Sequence, residues 1–212
     1  MKLSSIEQPP RAAKASGTLV LLHGYGADEN DLLPLAHELD PALRAVSLQG
    51  PQSLGGSARA WFNLQQTPRG FAYDKAEVEA ALALAAEAVE EIGRTAGERP
   101  LLLGFSQGAA MALAVALTRP GLVRGVFSFS GLPPSLDEDK LGPFGELRGL
   151  PVFAAHGQVD PLIPLEVGRL LRGALVEKGL EVEWHEYAMG HQVIEQELVD
   201  ARAWLSGVLR KG

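Results

Sequence analysis

Two hydrophobic rhythms alternate along the chain. Six short apolar runs of strand length, at residues 18–23, 44–49, 100–105, 124–130, 150–156 and 180–187, are separated by longer stretches in which apolar residues recur every three or four positions. The first five runs are apolar at successive positions, as strands covered on both faces must be, and they predict a mostly parallel central sheet. Residues 74–93 place Val78, Leu82, Ala85, Val89 and Ile92 on one stripe behind Asp74 and Glu77, a spacing that predicts a helix opened by a capping box. Residues 164–178 start at Pro164 and stop before Gly179, while residues 193–209 repeat Ile194, Leu198, Ala201, Leu205 and Val208 on one face; both predict helices packed on the sheet. A shorter helical pattern covers residues 30–39. The alternation is that of a three-layer α/β domain with right-handed crossovers and helices on both faces of the sheet, and residues 1–212 read as one domain. Residues 50–73 and 131–149, rich in glycine and proline, fit neither rhythm, and irregular stretches of that length in a compact domain are often functional.

A chain of 212 residues is long enough to bury roughly 70% of its unfolded surface without covalent staples. It contains no cysteine, which excludes thiolate nucleophiles, thiolate metal sites and a disulfide framework, and suits a reducing compartment; a cytoplasmic protein is expected. With 46% hydrophobic and 21% charged residues, disordered and fibrous classes fit poorly. The net charge of −7 argues against nucleic acid or anionic membrane as a partner held by bulk electrostatics. The opening MKLSSIEQPPRAAKAS has no apolar signal region, and the longest apolar run, Ala109–Leu117, falls far short of the ~18 residues of a membrane span.

The chemistry concentrates at Gly104–Gly108, GFSQG, which fits G-x-S-x-G. The pattern alone is weak, but its context is specific: an apolar strand precedes it and a small, apolar helical segment follows, so Ser106 sits at a strand-to-helix corner. The corner residue is strained and its neighbours must be small, which accounts for the glycines. A hydroxyl placed there stands at a helix N-terminus, where free N–H groups favour negative charge, and the Gln107 amide can face an oxyanion. Such a hydroxyl needs a base, and the base needs an orienting partner. Of the five histidines, His37 is expected to be solvated, His185 to face away from the core, and His23 and His156 to satisfy backbone groups at strand ends. His191 follows the last strand, in the loop position where α/β enzymes place reactive groups. Asp160, in HGQVDPL, stands just beyond a strand end between Ser106 and His191, whereas Asp137 and Asp139 fall in a charged loop. The order Ser, Asp, His is that of an α/β-hydrolase sheet. A second oxyanion donor is expected from the loop after the first apolar run; by register with HG-containing oxyanion loops it is the Tyr25 amide.

With these residues in hand, the sequence resembles the phospholipase/carboxylesterase family of α/β-hydrolases, which includes carboxylesterases and acyl-protein thioesterases. The similar segments are LLHGYGADEND, ARAWFNL at residues 58–64, LLGFSQGAAMAL, HGQVDPLIP and GHQV, in the family's order across nearly the whole chain. The resemblance implies triad roles for Ser106, Asp160 and His191 and oxyanion roles for Tyr25 and Gln107; it also allows a homodimer. Asn63 stands where relatives often carry Asp, and Tyr25 where many carry Leu. The expected activity is hydrolysis of a carboxylic ester, with thioesters and lysophospholipids as further substrates, through an acyl-enzyme, and it needs no cofactor or metal. No insertion is long enough for a cap domain, so an open site is expected. Leu54, Trp61, Phe62, Phe71 and Tyr73, with Leu162 and Ile163, are candidates for an apolar acyl groove, Trp61 and Leu162 foremost.

Rival readings fit less well. Gly24-Tyr25-Gly26 suggests a dinucleotide loop, but Glu29 occupies the third glycine position and Gln49 ends the second strand where an acid should hold a ribose. A metallohydrolase would need H-E-x-x-H or another paired-histidine spacing, and the sequence has neither. A noncatalytic binding protein on a hydrolase scaffold is the remaining alternative, although such a protein would normally have lost a triad member.

Overall fold

The computed structural model describes residues 2–67 and 70–210, without the side chains of Gln66 and Phe71. Its strands are β1 (Ser5–Gln8), β2 (Gly17–Leu22), β3 (Leu43–Leu48), β4 (Gln52–Gly55), β5 (Ala58–Ala60), β6 (Gln65–Thr67), β7 (Gly70–Ala72), β8 (Leu101–Phe105), β9 (Gly125–Phe129), β10 (Pro151–Gly157) and β11 (Glu181–Tyr187). Its helices are α1 (Leu33–Leu39), α2 (Lys75–Ala96), α3 (Gln107–Thr118), α4 (Phe144–Leu147), α5 (Leu165–Glu177) and α6 (Glu195–Arg210). All six apolar runs form strands of one seven-stranded sheet, ordered β1-β3-β2-β8-β9-β10-β11. Every pairing in it is parallel except that of β1 with β3.

Period-two alternation sorts the sheet's side chains into two cores. Val20, Leu22, Val46, Leu102, Val126 and Val152 face α2, α3 and α5, whereas Leu19, Leu21, Ala45, Leu103, Phe127 and Phe153 face α1 and α6. From β2 the chain passes through α1 to β3 on one side; from β8 it passes through α3 to β9 on the other. The outgoing connections of these two adjacent parallel strands therefore diverge, and a crevice opens beyond their carboxyl ends. Tyr25 and Ser106 follow those two ends.

Some local expectations change. The described residues between 50 and 73 are not irregular: they hold two small antiparallel strand pairs, β4–β5 and β6–β7. Asp74 caps α2 by accepting from the Ala76 amide at 2.8 Å, but Glu77 does not close a capping box. Its carboxylate instead accepts from the Asn63 amide at 2.8 Å and from Asn63 Nδ2 at 3.1 Å, tying the hairpin segment to α2. His37 is half-buried rather than solvated, with Nε2 on the Pro9 carbonyl at 3.1 Å. His185 does leave the face of Val182 and Trp184, yet it packs on the other core, stacked on Phe153 at 4.9 Å.

Candidate active site

The corner between β8 and α3 is as tight as its glycines suggest. A Cβ on Gly108 would lie 1.9 Å from the Leu22 carbonyl oxygen, and one on Gly104 would lie 2.3 Å from the Gly108 oxygen, so only hydrogen fits at either place. Between them Ser106 adopts φ 54° and ψ −117°, a conformation that costs a non-glycine residue about 1–3 kcal/mol. The strand pairing supports that strain: the Ser106 amide donates to the Phe129 carbonyl at 2.9 Å, at the end of neighbouring β9. Among the described residues the Ser106 hydroxyl accepts and donates no hydrogen bond, and it lines the crevice.

Asp160 and His191 come from neighbouring loops that continue the β10–β11 pairing. Gln158 N–H donates to the Tyr187 carbonyl at 2.8 Å and Val159 N–H to the Met189 carbonyl at 3.2 Å, zipping the two loops together. Gly157 permits this, since a Cβ there would meet the Gly190 oxygen at 2.3 Å. Asp160 Oδ2 accepts from His191 Nδ1 at 2.7 Å. Its other oxygen accepts from the Leu162 and Ile163 amides, both at 2.9 Å. Burial alone would raise the Asp160 carboxyl, but the Ile163 amide, the His191 imidazole and the Leu162 amide outweigh it and hold the group below its ordinary value. Asp160 is thus an anion fixed on three donors, and it presents His191 with Nδ1 protonated and Nε2 free. The imidazole packs on Phe105, one residue before Ser106, with ring centroids 4.8 Å apart.

Tyr25 and Gln107 line the same crevice as Ser106 and His191. Gln107 opens α3, so its amide is among the first-turn donors that no helix carbonyl reaches. The Tyr25 amide has no acceptor among the described residues. The Gln107 side chain turns away and is buried: Oε1 accepts from the Trp61 amide at 2.9 Å and Nε2 donates to the Phe62 carbonyl at 2.8 Å.

The crevice widens into a cavity of about 670 Å³. Its apolar walls come from Phe62, Leu64 and Tyr73 of the hairpin region, from Ala110, Met111 and Ala114 of α3, and from the loop after Asp160. Leu162 and Ile163 belong to that last wall, as expected. Trp61 does not line the cavity and is corrected: it is wholly buried, with its indole N–H on the His23 carbonyl at 2.9 Å, and serves the core behind the wall. Leu54 also lies off the cavity. The Phe71 side chain is outside the described residues. Sequence reasoning missed Ala110, Met111, Ala114 and Val78, because an apolar residue facing a cavity has the same periodicity as one facing a core. Leu132–Ser135, a further stretch of wall, lies in the glycine- and proline-rich segment already marked as unusual.

Several other features resolve simply. Glu29 and Gln49, the residues that spoil a dinucleotide loop, bond to each other at 2.7 Å. No group of three or more His, Cys, Asp and Glu able to hold a metal occurs among the described residues. Likewise, among these residues no helix is long and apolar enough to cross a membrane.

The family model for phospholipase/carboxylesterase matches residues 2–209. An acyl-protein thioesterase 1 of Gibberella zeae is 37% identical over 111 residues, which cover 51% of this chain and 47% of that protein. A probable carboxylesterase of Oryza sativa subsp. japonica is 30% identical over 217 residues, covering 95% and 92% of the two chains. The crystal structure of esterase PE8 superposes with a TM-score of 0.83 at 28% identity, covering 98% of this chain and 100% of that one. The chain belongs to the phospholipase/carboxylesterase family of α/β-hydrolases.

Proposed function

We propose that residues 1–212 form a single catalytic domain, a serine carboxylesterase in which Ser106, His191 and Asp160 are the nucleophile, the general base and its orienting carboxylate. The observation that carries this reading is the 2.7 Å Asp160–His191 bond beside a cavity that Ser106, strained at φ 54°, also lines. Ser106 Oγ attacks the acyl carbonyl while His191 Nε2 takes its proton. The Tyr25 and Gln107 amides hold the tetrahedral oxyanion. His191 then protonates the departing alcohol, leaving an ester on Ser106. Water, deprotonated by the same nitrogen, releases the acid and restores the hydroxyl. The open Ser106–His191 contact is compatible with this sequence, since catalytic hydrogen bonds often tighten only when substrate arrives.

The acyl chain is assigned to the wall of Ala110, Met111 and Ala114. Ala114 lies eight residues along α3 from Ser106, a rise of about 12 Å, so the wall is long enough for a medium-length chain. Thioester hydrolysis is the second reading, favoured by similarity to proteins named acyl-protein thioesterase. A cysteine-free chain suits the reducing cytoplasm, where we place the protein. A chain-length series of nitrophenyl esters and acyl thioesters tests the proposal: it requires turnover by the native protein that disappears in Ser106→Ala. Turnover that survives the substitution removes Ser106 from the mechanism.

A further inference from the structure

In the oxyanion reading the Gln107 amide is aimed by α3, whereas the Tyr25 amide lies in a loop. An amide stabilises charge only when its N–H points at the developing oxyanion, and the Tyr25 amide hangs from a glycine with no side chain to anchor it. Resting on that reading, we propose that His23 is the positioning residue that aims the Tyr25 N–H into the crevice by clamping the Gly24 carbonyl.

The imidazole makes two contacts that fix its tautomer. His23 is wholly buried at the end of β2. Its Nε2 faces the Gly50 amide at 2.9 Å, and an amide only donates, so Nε2 carries a lone pair. In a neutral ring the proton then sits on Nδ1, which lies 2.8 Å from the Gly24 carbonyl oxygen and donates to it. Gly50 in turn has no freedom to leave, because it is pressed so close to β5 that a Cβ there would stand 2.6 Å from the Ala60 oxygen. Trp61 closes the assembly, with its ring 5.6 Å from the imidazole and its indole N–H on the His23 carbonyl.

Planarity carries the clamp to the site. The Gly24 carbonyl and the Tyr25 N–H belong to one trans peptide unit and point in opposite directions. Drawing the carbonyl inward onto a buried imidazole therefore turns the N–H outward, to the cavity that Gly24, Tyr25 and Ser106 line together. The Ala27 amide also reaches this carbonyl, at 3.3 Å, so the turn and the imidazole compete as its anchor, and the shorter contact belongs to His23.

Two amide substitutions separate the contacts. In His23→Asn the side-chain NH₂ can occupy the place of Nδ1 and keep the bond to Gly24, whereas His23→Gln reaches the place of Nε2 and keeps only the side toward Gly50. The proposal requires kcat of His23→Gln to fall about 10- to 100-fold, with KM within about threefold of native, and His23→Asn to recover most of that loss. Affinity for a trifluoromethyl ketone, which forms an oxyanion on the serine, should fall in parallel with kcat/KM. Equal losses in the two variants, or native kcat in His23→Gln, overturn the clamp. A native protein without ester turnover sinks the hydrolase reading instead. If either variant fails to fold, nitrogen-15 NMR of the native protein still decides: the clamp requires the proton of His23 on Nδ1, and a proton on Nε2 refutes it.

Discussion

Glu197 is the third residue of α6, on the face shared with Ala201, Trp204 and Val208, and its side chain is completely buried. The Ile194 amide approaches it, but neither carboxyl oxygen forms a hydrogen bond of normal geometry. Burial pushes the group up to about 8 from the ordinary 4.5, so the fold keeps a proton that the unfolded chain has released. Between those two values the folded state binds more protons than the unfolded one, and stability must fall as pH rises through that window. The gap is worth about 5 kcal/mol as a ceiling, less whatever water penetration recovers. Glu197→Gln keeps the shape and removes the ionisation. Urea denaturation of both proteins at about pH 5, 7 and 9 should show the variant gaining about 3–5 kcal/mol on the native protein across the series. Parallel profiles, with a constant difference within about 0.5 kcal/mol, refute the premise that Glu197 is buried and neutral.

Three further substitutions probe the site and its frame. Ala114→Phe fills the far end of the acyl wall; kcat/KM for dodecanoyl esters should drop about 10- to 100-fold while that for acetyl esters hardly moves, read from the chain-length profile. Gln107→Ala leaves the backbone donor in place but unpairs the buried Trp61 amide and Phe62 carbonyl, so it should cost about 2–4 kcal/mol in denaturant unfolding and far less kcat than Ser106→Ala. Asp160→Asn removes the anion that fixes the His191 tautomer; kcat should fall about 10⁴-fold with KM little changed in steady-state assays.

Most of the sheet was legible because five of its strands, β2, β3, β8, β9 and β10, are buried on both faces, which leaves runs such as TLVLL and LPVFAA without polar interruption. β1 was not, since the four residues SIEQ carry no period of their own and become a strand only by pairing with β3. The corner at Ser106 was legible because it demands glycines on both sides, and that demand is written into the sequence. His191 and Asp160 were singled out by their places after strand ends, and they do meet, but that meeting depends on the continuation of the β10–β11 ladder, which spacing does not encode. Trp61 was misread because an aromatic near a site carries no mark of whether it faces a cavity or a core. Glu77 was misread for a related reason: a helix-opening glutamate has two available amides, and tertiary packing chose Asn63 over the helix's own cap.

The most direct test of the account is covalent. A fluorophosphonate incubated with the native protein should add one phosphonyl group, located on Ser106 by peptide mass spectrometry, with the reaction abolished in Ser106→Ala and strongly slowed in His191→Ala. An unlabelled native protein, or a label on any other residue, would contradict the assignment of Ser106 as the nucleophile.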